Sequence, residues 1–368
     1  MLKRLQYFVL FLIVAGCIEP YEFVIRNDEP TLVVEAHLSD KSFNETLNYP
    51  SDGRYFTVKL SYTGDVLNVR PIVIRHAVVE LRSDQNETWQ YTETEPGVYA
   101  LLNDEFKAEQ GPLYKLYIEL PTEETFESEW ESLPTTSAPS MGSIAFKETE
   151  IKKYEVQANE DVVVTAKVIK TEINLPENTT GKPIFYRWRF IPHWVYVAPL
   201  SPSVISPGHT CWATSPYYLL NYSIQQDNRG GYAKDLFSME TVRNERIFEK
   251  FSALVIQHSM TEAHYNFWKE MKDQNQEGAI FDKPPFNLRT NFRSLNGEKS
   301  VSGYFGIVNE QATRWYFSIK DLSYFVDNPL RADCLINYGP PGPAPECLDC
   351  REYSNGIATN VKPVWWIN

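Results

Sequence analysis

The chain has 368 residues, with 35 basic and 48 acidic side chains and a formal net charge of −13. This acidic balance argues against a nucleic-acid-binding protein, in which Lys and Arg would be concentrated. Hydrophobic residues make up 43% and aromatic residues 14% of the chain, so it can bury a large core and is not disordered. The length predicts two domains or one large domain, and the aromatic, proline-punctuated composition favours strands over helices.

The N-terminus carries the features of an export signal. A short basic start precedes an apolar run over Leu5–Val14, which is shorter than the roughly 20 residues that span a bilayer and is typical of a secretory signal. Small residues then lead directly to Cys17, an order that resembles the bacterial lipobox, in which the Cys is acylated. The alternative is an ordinary signal peptide with a chance Cys. We predict a signal peptide over residues 1–16 and lipidation, such as palmitoylation, at Cys17.

Acidic residues follow Cys17 closely, at Glu19 and Glu22. They resemble the export signal that sends Bacteroidota lipoproteins to the cell surface, although a solvated acidic linker is the alternative. Residues 17–30 are therefore predicted to be a lipidated Cys and its linker. No other stretch reaches 18 apolar residues, so the lipid is the only predicted membrane anchor. The expected location is the outer membrane, facing the cell surface.

The N-terminal part of the mature chain shows period-two alternation of apolar and polar residues, which predicts half-buried strands. The predicted strands are Thr31–Leu38, Tyr55–Tyr62, Ala77–Arg82 and Leu113–Leu120. The stretch from Ala77 to Leu101, with Gly97 and Tyr99, resembles a hairpin of prealbumin-like sandwiches. We predict a prealbumin- or immunoglobulin-like β-sandwich over residues 31–134, a conclusion about fold class and not about function.

The Pro-, Ser- and Thr-rich stretch over Ser132–Ser140 predicts a domain boundary. Beyond it, residues 135–345 are predicted to form a larger β-rich domain with one prominent helix, at about 259–277. Ser259 and Glu262 have the spacing of a capping box at its start. Residues 346–368 form a predicted C-terminal tail that contains a C-x-x-C motif. The overall expectation is a mainly β protein.

The second half carries a family resemblance. Its residues include Val255–Ala263, Gln276–Asp282, Gly303–Gly306, Cys347–Cys350 and the closing Trp365-Trp366. This succession resembles the Bacteroidota lipoproteins of domain-of-unknown-function family 4249, and the opening strand and lipobox are similar too. The resemblance implies an accessory lipoprotein encoded beside TonB-dependent outer-membrane receptors, with no enzymatic activity attached.

Four cysteines remain after Cys17, and an even number in an exported protein predicts two disulfides with three possible connectivities. They are Cys211, Cys334, Cys347 and Cys350. We favour Cys211–Cys334 with Cys347–Cys350. A zinc or redox site is the alternative, but the sequence has neither a second C-x-x-C nor a nearby H-x₃₋₅-H.

Catalytic motifs are missing from the sequence. The six histidines are scattered, and G-x-S-x-G, P-loop and EF-hand patterns do not occur. Two carboxylates could lie at glycosidase spacing by chance among 48 acids, but the sequence marks no pair. We therefore predict a non-enzyme without cofactor or metal.

Eight aromatic residues lie between positions 186 and 218. Alternating rings at Tyr186, Trp188 and Phe190 favour the core face of a strand. The segment from Trp194 to Tyr218 contains four prolines and no clear period, so it favours a loop. Exposed Tyr and Trp side chains are typical of interfaces. The candidate partner-binding residues are Trp194, Tyr196 and Trp212.

These expectations combine into a functional hypothesis. The leading one is a surface lipoprotein that serves as a non-catalytic accessory subunit of an outer-membrane β-barrel, such as a TonB-dependent receptor engaged in uptake. The alternatives are a subunit of an outer-membrane protein assembly or secretion machine, a glycan-binding module, and a hydrolase.

Overall fold

The computed structural model describes residues 30–63, 72–157, 159–276, 288–297, 299–336 and 342–367. Strands account for 45% and helices for 12% of the described residues, which confirms the predicted mainly β class. The described residues form nineteen strands: β1 (Leu32–Ser39), β2 (Phe56–Tyr62), β3 (Ile72–Val73), β4 (Val78–Ser83), β5 (Thr88–Gln90), β6 (Thr92–Glu95), β7 (Val98–Leu101), β8 (Tyr114–Glu119), β9 (Thr125–Ser128), β10 (Ile144–Gln157), β11 (Glu160–Asn174), β12 (Ile184–Val197), β13 (Thr210–Thr214), β14 (Ser223–Asp227), β15 (Ala233–Glu240), β16 (Phe251–Met260), β17 (Phe292–Ser294), β18 (Val301–Phe317) and β19 (Ile357–Thr359).

Helices are few in the described part of the chain. The α-helices are α1 (Phe43–Leu47), α2 (Glu262–Gln276), α3 (Leu330–Ile336) and α4 (Pro345–Leu348), and the 3₁₀ turns are Glu245–Ile247, Ile319–Asp321 and Cys350–Glu352. The predicted long helix is confirmed as α2. It begins later than the capping-box pattern indicates, because β16 continues through Ser259 to Met260. Thr261 accepts the hydrogen bond from the His264 amide at the helix start instead.

The central sheet runs in the order β19-β13-β12-β16-β18-β1-β2-β7-β6, with β14 beside β12 and β3 beside β2. β1 pairs with β18 in parallel, from Leu32 opposite Val301 to Ser39 opposite Val308. Strands from both predicted domains therefore share one sheet. Residues 31–368 form one compact unit, and the predicted boundary between residues 134 and 135 falls inside it.

Two smaller sheets pack on one face of the central sheet. The five-stranded sheet β17-β9-β8-β4-β5 covers one core and the three-stranded sheet β10-β11-β15 covers the other. Phe305 and Ile307 of β18 enter the first core and Phe317 enters the second. All three have odd numbers, and alternate residues of a strand share a face. The sandwich expectation thus holds for both halves, with one continuous sheet as the shared layer.

The opposite face of the central sheet is covered in part by α2. Tyr265 of this helix packs with Phe185, Met260 and Val308 in a small third cluster of buried apolar residues. Val308 has an even number in β18, which places the cluster on the face that the two small sheets leave free. The charged residues considered next lie on this second face.

Candidate functional site

The structure corrects the predicted partner-binding loop. Trp194 and Tyr196 belong to β12 and are buried, with exposed fractions of 0% and 3%. Trp212 lies half-buried on β13, which pairs with β12 on one side and β19 on the other. The even-numbered rings of β12 share one face and belong to the second core, as predicted for Tyr186, Trp188 and Phe190. The loop prediction failed at Trp194 because the four prolines that favoured a loop all lie beyond Val197, where β12 ends.

All four cysteines of the described residues form disulfides, but the favoured connectivity is wrong. The bonds are Cys211–Cys350 and Cys334–Cys347, with Cα–Cα distances of 5.6 and 5.9 Å. The Cys350 amide donates to the carbonyl of Gly208 at 2.8 Å, which holds the tail beside the start of β13. Cys350 is therefore placed next to Cys211, and Cys347 turns toward Cys334 on α3.

The predicted lipidation residue, Cys17, lies outside the described residues, as does the predicted signal peptide over 1–16. Both remain predictions. In the described part of the chain, the helices are all too short or too polar to cross a membrane.

A row of ionisable side chains crosses three neighbouring strands on the second face of the central sheet. Arg187 of β12 lies directly opposite His258 of β16, and His258 lies opposite Glu310 of β18. We call these three residues the charged row. All three are buried, with exposed fractions of 9%, 1% and 4%. Burial of a charge is costly unless the charge is paired and hydrogen-bonded.

Glu310 is the member of the charged row that has several hydrogen-bond partners. Its carboxylate accepts a hydrogen bond from Nη2 of Arg54 and another from Nε2 of His258 at 3.3 Å. Its backbone amide donates to Oδ1 of Asp40 at 2.7 Å, and its carbonyl accepts from the Tyr49 hydroxyl at 3.3 Å. Arg54, Asp40 and Tyr49 all belong to the segment between β1 and β2, so Glu310 ties that segment to the centre of the sheet.

The two histidines of this region are held neutral. Burial lowers the pKa of His258 well below its usual value, and Arg187, Arg189 and Arg54 lower it further. Burial also lowers the pKa of His37 well below its usual value, with His258 and Arg189 as the next causes. The two imidazole rings lie 5.4 Å apart between centroids. At neutral pH they serve as polar groups without charge.

Arg187 and Arg189, on the same face, have few polar partners for their guanidinium groups. The guanidinium of Arg187 lies over the Trp268 ring, 3.5 Å from its centroid, and 5.0 Å from that of Tyr222. Its Nε is buried without a hydrogen-bond partner. The side chain of Arg189, two residues along and half-buried, makes no hydrogen bond or ion pair with any described residue. Stacking on aromatic rings offsets only part of the desolvation of such a cation.

A polar cavity lies beside Glu310, between the segment after β1 and the segment before β10. Its volume is about 360 Å³, and its lining includes Asp40, Ser259, Asn309 and Gln311. Oδ1 of Asn309 is buried there without a hydrogen-bond partner. The size falls in the lower range of small-molecule pockets. Its lining residues come from β16, β18, the segment after β1 and the segment before β10.

The β10–β11 hairpin is a second distinctive surface. The two strands pair from Ile144 opposite Ile173 to Gln157 opposite Glu160, whereas β15 pairs with β11 only from Val168 onward. The outer half is therefore a two-stranded ribbon, extending about 20 Å at the usual rise per residue. It carries exposed apolar side chains, with exposed fractions of 78% for Tyr154, 72% for Val156 and 53% for Val163.

Sequence reasoning missed both the charged row and the hairpin surface. One signal for the row was available, because the arginines at 187 and 189 alternate with the rings at 186, 188 and 190. That pattern places two cations on the face opposite the core. Within the described ranges, no group of three or more His, Cys, Asp or Glu side chains is arranged to hold a metal ion.

The fold and these surfaces define a multi-sheet β protein with an exposed hairpin and a charged row on its central sheet. The chain belongs to the family described as Domain of unknown function (DUF4249), whose model matches residues 18–314. The predicted family membership is confirmed. No curated protein and no solved structure matches the chain.

Proposed function

We propose that this protein is an outer-membrane lipoprotein, anchored through Cys17 and facing the cell surface, that acts as a non-catalytic accessory subunit of a β-barrel complex. A TonB-dependent receptor engaged in uptake is the first candidate partner. The lipobox-like sequence before Cys17 and the acidic residues after it support the anchor and the surface location. The observation that carries the proposal is the projecting β10–β11 hairpin.

The hairpin has the properties of a contact element. Its base is fixed in the second core, where Phe146 packs against Phe317 with ring centroids 5.1 Å apart. Its outer half presents Tyr154 directly opposite Val163, so an apolar pair stands on one face of the ribbon. An isolated two-stranded ribbon is marginally stable in water. Packing against a partner would bury its apolar side chains and satisfy the free edge of β10.

Copurification tests the proposal. A C-terminally tagged chain is extracted in mild detergent from wild-type cells and from cells with Tyr154→Ser and Val163→Thr together. We expect a stoichiometric outer-membrane barrel with the wild type and at least a tenfold lower yield of it with the double variant. The matched control is Val204→Thr with Ile205→Thr, because these side chains are also highly exposed but lie outside the hairpin.

The outcomes are separable. A protein that migrates alone in several mild detergents overturns the accessory-subunit proposal. Equal recovery of the barrel with the hairpin variant and the control overturns the role of the hairpin and leaves the partner in place. The identity of the barrel distinguishes an uptake receptor from an assembly or secretion machine. Separately, Cys17→Ser is expected to release the protein from membranes, and retention of that variant would contradict the anchor.

A further inference from the structure

The second face of the central sheet carries more buried positive than negative charge. Arg54, Arg187 and Arg189 all act electrostatically on His258, and we call these three arginines the cationic cluster. Arg314 of the same face is also buried but stacks on the Trp365 ring, with 3.6 Å to its centroid, and is not part of the cluster. Glu310 supplies one buried carboxylate, already engaged by Arg54 and His258. Glu35 influences Arg187 and Arg189 electrostatically but is exposed to solvent. The cationic cluster and Glu310 together therefore carry an excess of about two positive charges, in a protein whose net charge is −13.

This excess is unusual because a buried cation without a counter-charge is strongly destabilising. Nε of Arg187 and Nη1 of Arg54 are both buried without a hydrogen-bond partner. Arg187 is about nine-tenths buried and faces this region, and burial holds its pKa well below the usual value. Arg189 lies within electrostatic range of both Arg187 and Arg54. Buried guanidinium donors without a partner are the groups that an oxyanion satisfies.

We propose that the cationic cluster binds a small dianion of the phosphate class, either the free ion or a phosphomonoester group of an organic ligand. A dianion offsets the excess of two charges, whereas a monocarboxylate offsets half of it. Guanidinium groups match the geometry of phosphate oxygens through paired hydrogen bonds. Arg189 is half-buried, so part of the cationic cluster is within reach of a solute.

The surroundings favour binding over a purely structural role. His258 and His37 add polar groups that stay neutral near pH 7. The Trp268 ring fixes one side of the Arg187 guanidinium, so its remaining donors are preorganised for a ligand. This site is independent of the hairpin, and its failure would leave the proposed accessory function untouched.

The test is calorimetric titration of the detergent-solubilised full chain with sodium phosphate, against sodium chloride at matched ionic strength. We expect saturable, one-site binding of phosphate and at least tenfold weaker binding of acetate. Arg189→Gln should weaken phosphate binding at least tenfold. Arg75→Gln is the matched control, because this arginine is exposed and removes the same charge elsewhere on the surface.

Thermal unfolding supplies a second measurement on the same proteins. Phosphate should raise the melting temperature of the wild type and of Arg75→Gln in a concentration-dependent way. Without phosphate, Arg189→Gln should melt no lower than the wild type, because it removes an uncompensated charge. It should also show no phosphate-dependent rise. A merely structural arginine would instead lower the melting temperature at every phosphate concentration.

Glycerol 3-phosphate distinguishes the two forms of the ligand. Binding at least as tight as that of phosphate indicates a phosphomonoester, and preference for phosphate indicates the free ion; both outcomes support the site. The proposal is overturned if phosphate gives no more heat than chloride, if acetate binds as tightly as phosphate, or if Arg189→Gln binds phosphate like the wild type.

Discussion

His258 donates a hydrogen bond to Glu310 across two adjacent strands, with Nε2 and Oε2 3.3 Å apart. The two residues are direct neighbours in the sheet although β16 and β18 are separated by α2 and its following segment. The bond joins a neutral imidazole to the carboxylate that also binds Arg54. Glu310 is thus the single buried carboxylate, among the described residues of this face, that opposes the cationic cluster.

Loss of the Glu310 charge is expected to be costly. Glu310→Gln leaves Arg54 without its ion-pair partner and increases the excess positive charge of the face. Removal of one partner of a buried ion pair typically costs about 3–5 kcal/mol, so we expect a loss of that order in the free energy of unfolding. Denaturant titration measures it, with Glu109→Gln as an exposed control.

A double-variant cycle sharpens this prediction. Glu310→Gln combined with Arg54→Gln should cost less than the sum of the two single changes, because the second change removes the charge that the first leaves unpaired. Additive costs would contradict the ion pair as the source of the effect.

Replacement of Trp194 is expected to destabilise the core. Trp194 is fully buried, and Trp194→Ala should cost about 3–5 kcal/mol in the free energy of unfolding, through lost burial and a cavity. Tyr217, which is 85% exposed, serves as the control, and Tyr217→Ala should change the free energy by less than about 0.5 kcal/mol. Equal losses in the free energy of unfolding for both changes would contradict the buried position of Trp194.

The two disulfides should differ in their contribution. The bond between Cys211 and Cys350 spans 139 residues, and that between Cys334 and Cys347 spans 13. Loop-closure entropy predicts a stabilisation of about 5 kcal/mol for the long loop and about 3 kcal/mol for the short one. Paired Cys→Ser variants measure the difference by denaturant titration.

Peptide mapping without reduction tests the connectivity directly. We expect one linked fragment that contains Cys211 and Cys350, and another that contains Cys334 and Cys347. A fragment that joins Cys347 to Cys350 would restore the pairing predicted from sequence. Two or more alkylatable thiols in the native protein would contradict both arrangements.

Stability is expected to fall on acidification below about pH 6.5. Burial lowers the pKa of His264 to about 3 and that of His193 to about 4, and it lowers the pKa values of His37 and His258 well below the usual range. Below about pH 6.5 these histidines are therefore protonated in the unfolded chain but stay neutral in the folded chain. Between its pKa in the unfolded chain and its pKa in the folded chain, each such histidine lowers the free energy of unfolding by about 1.4 kcal/mol per pH unit of acidification.

Between pH 4.5 and 6.5 the pH dependence of stability comes mainly from the histidines, because carboxylates with lowered pKa values contribute mainly below that range. Burial raises the pKa of Glu131, which acts in the opposite direction there, but one such group opposes four histidines. Denaturant titrations at several pH values should give a smaller slope for His193→Gln than for the wild type. Equal slopes would contradict the low pKa of His193.

The sequence identified a strand correctly where apolar and polar residues alternate within that strand. Period-two alternation identified β1, β2, β4 and β8, and it assigned Tyr186, Trp188 and Phe190 to the core. The same alternation continues through Trp194 and Tyr196, but Pro192 interrupts it. Pro192 is tolerated because it lies between the stretches of β12 that pair with β14 and β13, where no described strand lies on that edge.

Tertiary structure decided the features that depend on distant parts of the chain. Four cysteines allow three connectivities, and the packing of the tail beside β13 selects one. The charged row joins Arg187, His258 and Glu310 only because β16 and β18 pair beside β12. Local alternation fixes which side of a strand a residue occupies, since it follows from backbone geometry alone. Which strands become neighbours depends on the burial of two cores against one shared sheet, a cooperative outcome that no single segment encodes.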